Sequence, residues 1–215
     1  MSSGNVHVLI RVWLPDRPGA LGLVASRIGA VEGDIVGIDV LERGSGVAVD
    51  EFAVLLKESV AIDLLVREIE EVDGASVEEV RTIRHFPDPR LDALQSASTL
   101  CAAATPAELH ETLVEKMRAD FLADWTALMV GSDVLASVGK VADPSMLAAL
   151  VSGASASPRV ADGTTGPDDL AIASLPAHGA SLLLGRDGHP FRRRERAQLV
   201  ALAGIADRTW SLLEE

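Results

Sequence analysis

The first 86 residues alternate between strand-like and helix-like hydrophobic patterns. Segments rich in β-branched and apolar residues predict strands over 6–14, 35–41, 49–56 and 76–86. Apolar residues at steps of three and four predict two helices, with stripes formed by Leu21, Val24, Ala25 and Ile28 and by Ile62, Leu65, Val66 and Ile69. The predicted element order is therefore βαββαβ.

This order predicts a ferredoxin-like fold of the α+β class. Two βαβ crossovers of the usual right hand place both helices on one face of an antiparallel four-stranded sheet. The same fold hosts many unrelated functions, so it indicates none by itself.

The loop after the first predicted strand, residues 16–21, has the sequence DRPGAL. Pro18 suits the first turn of a helix, and Gly19 lets a ligand approach the backbone closely. Free N–H groups at the start of a helix favour a carboxylate. Asp16 and Arg17 could bind the ammonium and the carboxylate of an amino acid, respectively.

Residues 16–21, followed by EGDI at 32–35, resemble the loop of the ACT domain family, which often carries Asp-Arg-Pro-Gly-x-Leu here. The resemblance covers residues 5–86. It implies a regulatory module that binds an amino acid between the first loop and helix of one copy and a strand of another, and hence a homodimer. By position it assigns ligand binding to Asp16, Pro18, Gly19, Ala20 and Leu21, with Ile38 and Asp39 on the second strand as further candidates. A tight turn in a structural or dimerising module explains the same loop, since many ACT domains bind no known ligand.

Two prolines within residues 86–89 interrupt the pattern and predict a boundary between one domain over 1–87 and a second over 88–215. Beyond it, helices are predicted over 91–104, 106–119 and 146–151 and from 192 onward. Strands are predicted over 125–130, 134–138, 170–175 and 180–185. Residues 152–169 are small, polar and glycine-rich, which predicts a loop.

The second half resembles a GAF domain, most closely where a strand ending in LLLGR is followed by Phe191 and the helical segment RERAQLVALA. The resemblance implies a second α+β domain, a GAF-like antiparallel sheet with flanking helices, that senses a small molecule or dimerises. The Asn-Lys-x-Phe-Asp-Glu set of cyclic-nucleotide-binding members is missing. Cys101 lies in a predicted helix ahead of the sheet, which is a poor place to attach a bilin. The ligand of this domain is therefore open.

Composition excludes several partners. The chain has 32 acidic residues against 19 Lys and Arg, and its net charge of −13 disfavours nucleic acids and anionic membranes. One cysteine excludes an intramolecular disulfide and a zinc site built from several cysteines. A signal peptide and a run of about 20 apolar residues are both missing, so we expect a soluble, cytoplasmic protein.

Catalytic motifs are weak. The sequence contains neither a phosphate-binding P-loop nor a Gly-x-Ser-x-Gly elbow. His178, His189 and Asp187 could converge across the last hairpin, but turn and surface histidines are the favoured explanation. Cys101 is expected to pack against a helix. Residues 192–196 form a basic cluster that could dock an acidic partner or a phosphate, or be a solvated helix end.

The sequence therefore predicts a regulatory sensor of a small metabolite, an amino acid bound at an ACT dimer interface, with no cofactor, metal or catalytic step. The second domain would report the ligand-induced change, in concert with a regulated protein partner if one exists. The alternative is a ligand-free dimerisation and interaction scaffold. An enzyme that uses the C-terminal domain is a minor alternative.

Overall fold

The computed structural model of the protein describes residues 4–156, 167 and 169–215. The chain divides into two compact units, Met1–Pro87 and Asp88–Glu215. The described helices and strands are, in chain order, β1 (Asn5–Pro15), α1 (Ala20–Ala30), β2 (Asp34–Gly44), β3 (Val47–Lys57), α2 (Ile62–Glu70), β4 (Ser76–Ile83), α3 (Pro89–Cys101), α4 (Pro106–Asp120), β5 (Trp125–Val130), β6 (Asp133–Gly139), α5 (Pro144–Ser155), β7 (Leu170–Leu175), β8 (Ala180–Gly185) and α6 (Arg193–Leu213).

The N-terminal sheet has the strand order β2-β3-β1-β4, and every neighbouring pair is antiparallel. With one helix after β1 and another after β3, this is the ferredoxin-like fold, so the predicted α+β class and βαββαβ order are confirmed. Successive side chains of a strand point to opposite faces of the sheet. Val8, Ile10, Val12 and Leu14 therefore share one face, where they are buried against α1 and α2.

Helix α1 contributes Val24 and Ile28 to this core, and both side chains are fully buried. The predicted stripe placed Leu21 among the core residues, but Leu21 is 38% exposed and Ala20 is buried instead. The predicted stripe is therefore confirmed at Val24 and Ile28, and only in the first turn does Ala20 take the place of Leu21 in the core.

Strand β2 lies at an edge of the sheet and pairs with β3 on one side. Ile38 and Val40 share one face of it, Val36 lies at an irregularity in the register, and all three side chains are 39–50% exposed. This edge strand therefore carries exposed apolar side chains.

The C-terminal sheet has the order β6-β5-β8-β7, again with antiparallel neighbours. Helices α3, α4 and α6 cover one face, where Leu113 and Ala203 pack with Leu182 of β8. Helix α5 covers the other face, where Leu147 packs with Met129 of β5. The predicted antiparallel sheet with flanking helices is confirmed.

The predicted loop over residues 152–169 is partly wrong, because its first residues belong to α5. This helix begins at Pro144, where the Asp143 carboxylate accepts the Ser145 amide (2.9 Å), and continues to Ser155. The prediction started at Met146 because the hydrophobic pattern does not show this N-cap. Residues 157–166 and 168 of the predicted loop lie outside the described residues.

Helix α6 spans 21 residues and carries charged side chains along its length. Two of them, Arg196 and Asp207, are buried. Across the described ranges, neither α6 nor another helix combines the length and the apolar character that crossing a bilayer demands.

Candidate ligand-binding site

A cavity of about 190 Å³ lies where the loop after β1 meets the hairpin end of β2 and β3. Pro15 pairs with Val47 in the sheet, and the Asp16 amide donates to the carbonyl oxygen of Gly46 (2.9 Å). The lining residues are Leu14, Pro15, Asp16, Arg17, Leu21, Val40, Arg43, Ala48 and Asp50. Because a cavity of about 150 Å³ holds a molecule the size of benzene, this cavity has room for a small metabolite.

The loop enters α1 through a glycine that the backbone requires. Gly19 is the N-cap residue and has a φ of 90°, in the left-handed region that glycine adopts without strain. No side chain caps the helix. The amide of Ala20 donates to the Arg17 carbonyl oxygen (3.3 Å).

Part of the helix start remains open to a ligand. Among the described residues, the amides of Leu21 and Gly22 have no hydrogen-bond acceptor. Leu23 donates to the carbonyl oxygen of Gly19 (3.1 Å), so the regular helical ladder begins there. Two free amides at the positive end of a helix favour an anionic group such as a carboxylate.

An ion pair closes one side of the cavity. The Arg43 guanidinium of β2 donates through Nε to Oδ1 of Asp16 (3.1 Å), and Nη2 contacts the same oxygen. Arg43 is well exposed, whereas the Asp16 side chain is about one quarter exposed. The pair ties the β1–α1 loop to the hairpin and neutralises Asp16.

Asp50 is the buried charged group of the cavity. It lies opposite Val12 and Val40 in the sheet, on the face that packs against the helices, and it is 4% exposed. Its Oδ1 atom is buried without a hydrogen-bond partner. Burial raises the pKa of the Asp50 carboxyl; nearby Arg43 lowers this pKa in part, and Asp16 raises it further.

The predicted site residues of the loop separate into two groups. Asp16, Arg17 and Leu21 line the cavity. Pro18, Gly19 and Ala20 form the turn into α1 beside it.

Ile38 and Asp39 do not line the cavity. Ile38 pairs with Phe52 and lies two residues along β2 from the lining residue Val40, whereas Asp39 pairs with Glu51. Because neighbouring residues of a strand alternate between faces, Asp39 lies on the face opposite to Asp50. Its neighbour Glu51 accepts a hydrogen bond from Arg11 there (2.7 Å).

Arg43 and Asp50 were missed by sequence reasoning. The signal available in the sequence was the alternation along β3, where Asp50 stands in the same row as the apolar residues Ala48, Phe52 and Val54. An acidic residue in such a row is either paired or part of a site, since burying an isolated charge is costly.

His178 of the C-terminal unit contacts two residues of α6. Its Nδ1 lies 2.8 Å from Oδ1 of Asp207, and its ring stacks on Trp210 with centroids 4.0 Å apart. The His178 contacts hold the turn after β7 against α6. Within the described residues, His, Cys, Asp and Glu side chains form no group that could hold a metal ion.

Cys101 contacts a helix as expected, whereas the basic cluster differs from expectation. Cys101 is exposed at the end of α3, and its Sγ accepts a hydrogen bond from Oγ1 of Thr209 on α6 (3.8 Å). Arg192 and Arg196 are buried, and Arg196 donates to the carbonyl oxygens of Leu170 (2.8 Å) and Phe191 (3.2 Å). Arg196 thus fixes the start of α6 to β7 and is not part of a solvated helix end.

Several solved structures are similar to this chain at low sequence identity. No family model and no curated protein matches the chain. The solution NMR structure of the ACT domain from GTP pyrophosphokinase of Chlorobium tepidum is similar over 38% of this chain and 90% of that chain, with 17% identity and a TM-score of 0.30. An unknown protein from Galdieria sulphuraria is similar over 97% of this chain and 95% of that chain, with 10% identity and a TM-score of 0.35. A bacteriophytochrome from the photosynthetic bacterium R. palustris is similar over 82% of this chain and 47% of that chain, with 14% identity and a TM-score of 0.38.

We expect Asp50→Asn to raise the melting temperature at pH 7. Because the pKa of Asp50 is raised in the folded state, the folded protein binds this proton more tightly than the unfolded chain does. Stability is therefore lost as the pH rises from about 3.8 through the folded-state pKa. Differential scanning calorimetry should show a gain at pH 7 that shrinks at pH 4.

Asp34→Asn is the matched control, because Asp34 is exposed at the start of β2. It should change the melting temperature little at either pH. A lower melting temperature for Asp50→Asn at pH 7 would mean that the ionised carboxylate stabilises the fold, which contradicts the prediction.

Proposed function

We propose that this chain is a regulatory protein whose N-terminal unit binds a small amino acid in the cavity between Asp16, Arg43 and Asp50. The observation that carries the proposal is a buried carboxylate, that of Asp50, which has an unpartnered oxygen and lines a small cavity beside open helix amides. Binding sites commonly retain such groups at a cost in stability.

The chemistry of the cavity suits a zwitterion. The amide of Leu21 and the guanidinium of Arg17 are donors for a carboxylate, and Asp16 and Asp50 are acceptors for an ammonium group. The walls formed by Leu14 and Val40 and their neighbours are apolar and suit a short aliphatic side chain. No catalytic step is needed for this role.

A homodimer through β2 fits the same proposal. The exposed apolar side chains of this edge strand would be covered by β2 of a second copy, which would continue the sheet across the dimer. Val40 belongs both to this edge and to the cavity wall. A ligand that prefers one dimer arrangement would therefore shift the population towards it, and the C-terminal unit would report the shift.

A ligand-free assembly module is the second candidate function. The apolar edge of β2 favours it, since pairing through this edge needs no metabolite. The two candidates differ in what the cavity does, and ligand screening separates them.

We expect at least one of the twenty amino acids to raise the melting temperature of the intact chain. A ligand present at 100 times its dissociation constant stabilises the folded state by about 2.7 kcal/mol. Leu21→Glu should abolish the shift, because it places a negative charge at the cavity wall where the ligand carboxylate approaches. Thermal-shift assays at pH 7 measure both effects.

Leu23→Glu makes the same change two residues along α1, at a side chain that is 49% exposed and does not line the cavity. It should leave the shift intact. If no amino acid stabilises the wild-type protein, the sensor proposal is wrong and the assembly module remains.

We expect Ile38→Lys to weaken the dimer by about tenfold or more, because the two-fold arrangement brings equal charges together at the apolar edge. Sedimentation equilibrium at micromolar concentration measures the dissociation constant. Leu64→Lys on α2, where Leu64 is 41% exposed, is the control and should leave the constant unchanged. A wild-type chain that is monomeric at these concentrations would exclude the β2 dimer.

A further inference from the structure

Asp50 differs from the other charged groups of the cavity in its surroundings. The charged residues that line the cavity with it are Asp16 and Arg17 from the loop after β1 and Arg43 from β2; α1 contributes the apolar Leu21. Asp16 and Arg43 form an ion pair with each other. The Asp50 carboxylate is thus left with an unpartnered oxygen in the apolar part of the wall.

The ionised form of Asp50 is unfavourable at this position, because its neighbours are apolar and it is buried. Its neighbours across the sheet are Val12 and Val40, and the next residue in its row, Phe52, is fully buried. A buried carboxylate in such surroundings is stabilised most by a cation that comes within hydrogen-bond distance. Arg43 directs Nε and Nη2 at Asp16, and Oδ1 of Asp50 receives no hydrogen bond from it.

We infer that Asp50 is the specificity-determining residue of this site, which selects ligands with a protonated amine and rejects carboxylic acids that lack one. The inference rests on the proposed function, because it names the ligand class of the same cavity. It also assigns the ammonium contact to Asp50, whereas Asp16 keeps Arg43 in place.

The rejection of amine-free ligands follows from the cost of burial. A carboxylic or hydroxy acid that fills the cavity removes water from Asp50 and supplies no cation, so the buried carboxylate stays unpaired. Sites built to bond a substrate group discriminate strongly against analogues that lack it. An amine instead pairs with the carboxylate, which must be ionised to accept its hydrogen bonds. Because burial raises the pKa of the Asp50 carboxyl, amine affinity should rise with pH as this carboxyl ionises.

Matched ligand pairs test the inference by isothermal titration calorimetry on the intact chain. The probes are L-alanine, L-valine and L-leucine, each compared with its hydroxy acid: lactate, 2-hydroxyisovalerate and 2-hydroxyisocaproate. At least one amino acid should bind the wild-type protein more tightly than its hydroxy acid by about tenfold or more, which corresponds to 1.4 kcal/mol. Asp50→Asn should lose this preference and still bind the hydroxy acid, and Asp34→Asn should keep the preference.

The outcomes separate the inference from the proposed function. If neither series binds the wild-type protein, a site for a short aliphatic amino acid is excluded and the inference fails with it, whereas the proposed sensor itself fails only if none of the twenty amino acids stabilises the protein. If the wild-type protein binds both series equally, or Asp50→Asn keeps the preference, the site stands but Asp50 does not select the amine. If a folded Asp50→Asn variant loses both series equally, Asp50 shapes the cavity without selecting the amine, and the inference is overturned.

Discussion

A carboxylate buried in the apolar row of a strand is the constraint on which this account depends. Asp50 stands between Val12 and Val40 on the helix-packed face of the N-terminal sheet, and one of its oxygens has no partner. Such a group opposes folding unless something pairs with it. If a ligand supplies the cation that pairs with Asp50, the free-energy cost of burying the carboxylate is offset when the ligand binds. Folding alone gives no reason for an acidic residue at this position.

The ferredoxin-like fold brings the remaining parts of the site to this carboxylate. Antiparallel pairing of β1 and β3 places Pro15 opposite Val47, so the loop that enters α1 lies beside the turn between β2 and β3. Gly19 then directs the chain into α1 with the amides of Leu21 and Gly22 still open. The same pairing brings Arg43 to Asp16. Arg43 and Asp50 thus reach the cavity from the hairpin of β2 and β3, opposite the loop.

Local sequence patterns predicted the helices, the strands and the loop, whereas the residues that line the cavity are brought together by long-range strand pairing. The βαββαβ order and residues 16–21 could be found because alternation, helical spacing and turn residues act over a few positions. The sequence pointed to Asp39, whereas Asp50 lines the cavity in the structure, because a strand places neighbouring residues on opposite faces and the sequence does not specify which face meets the loop. His178 and Asp207 are 29 residues apart and meet through the packing of α6, which no local pattern contains.

The most direct test of the central claim is the titration of Asp50 itself, followed by the NMR signal of its carboxyl carbon with and without a saturating amino acid that stabilises the protein. We expect the ligand to lower the titration midpoint of Asp50, because an ammonium group beside the carboxylate favours its ionised form. A midpoint that stays the same while the amino acid is bound would show that the amine binds elsewhere, and the account would be wrong.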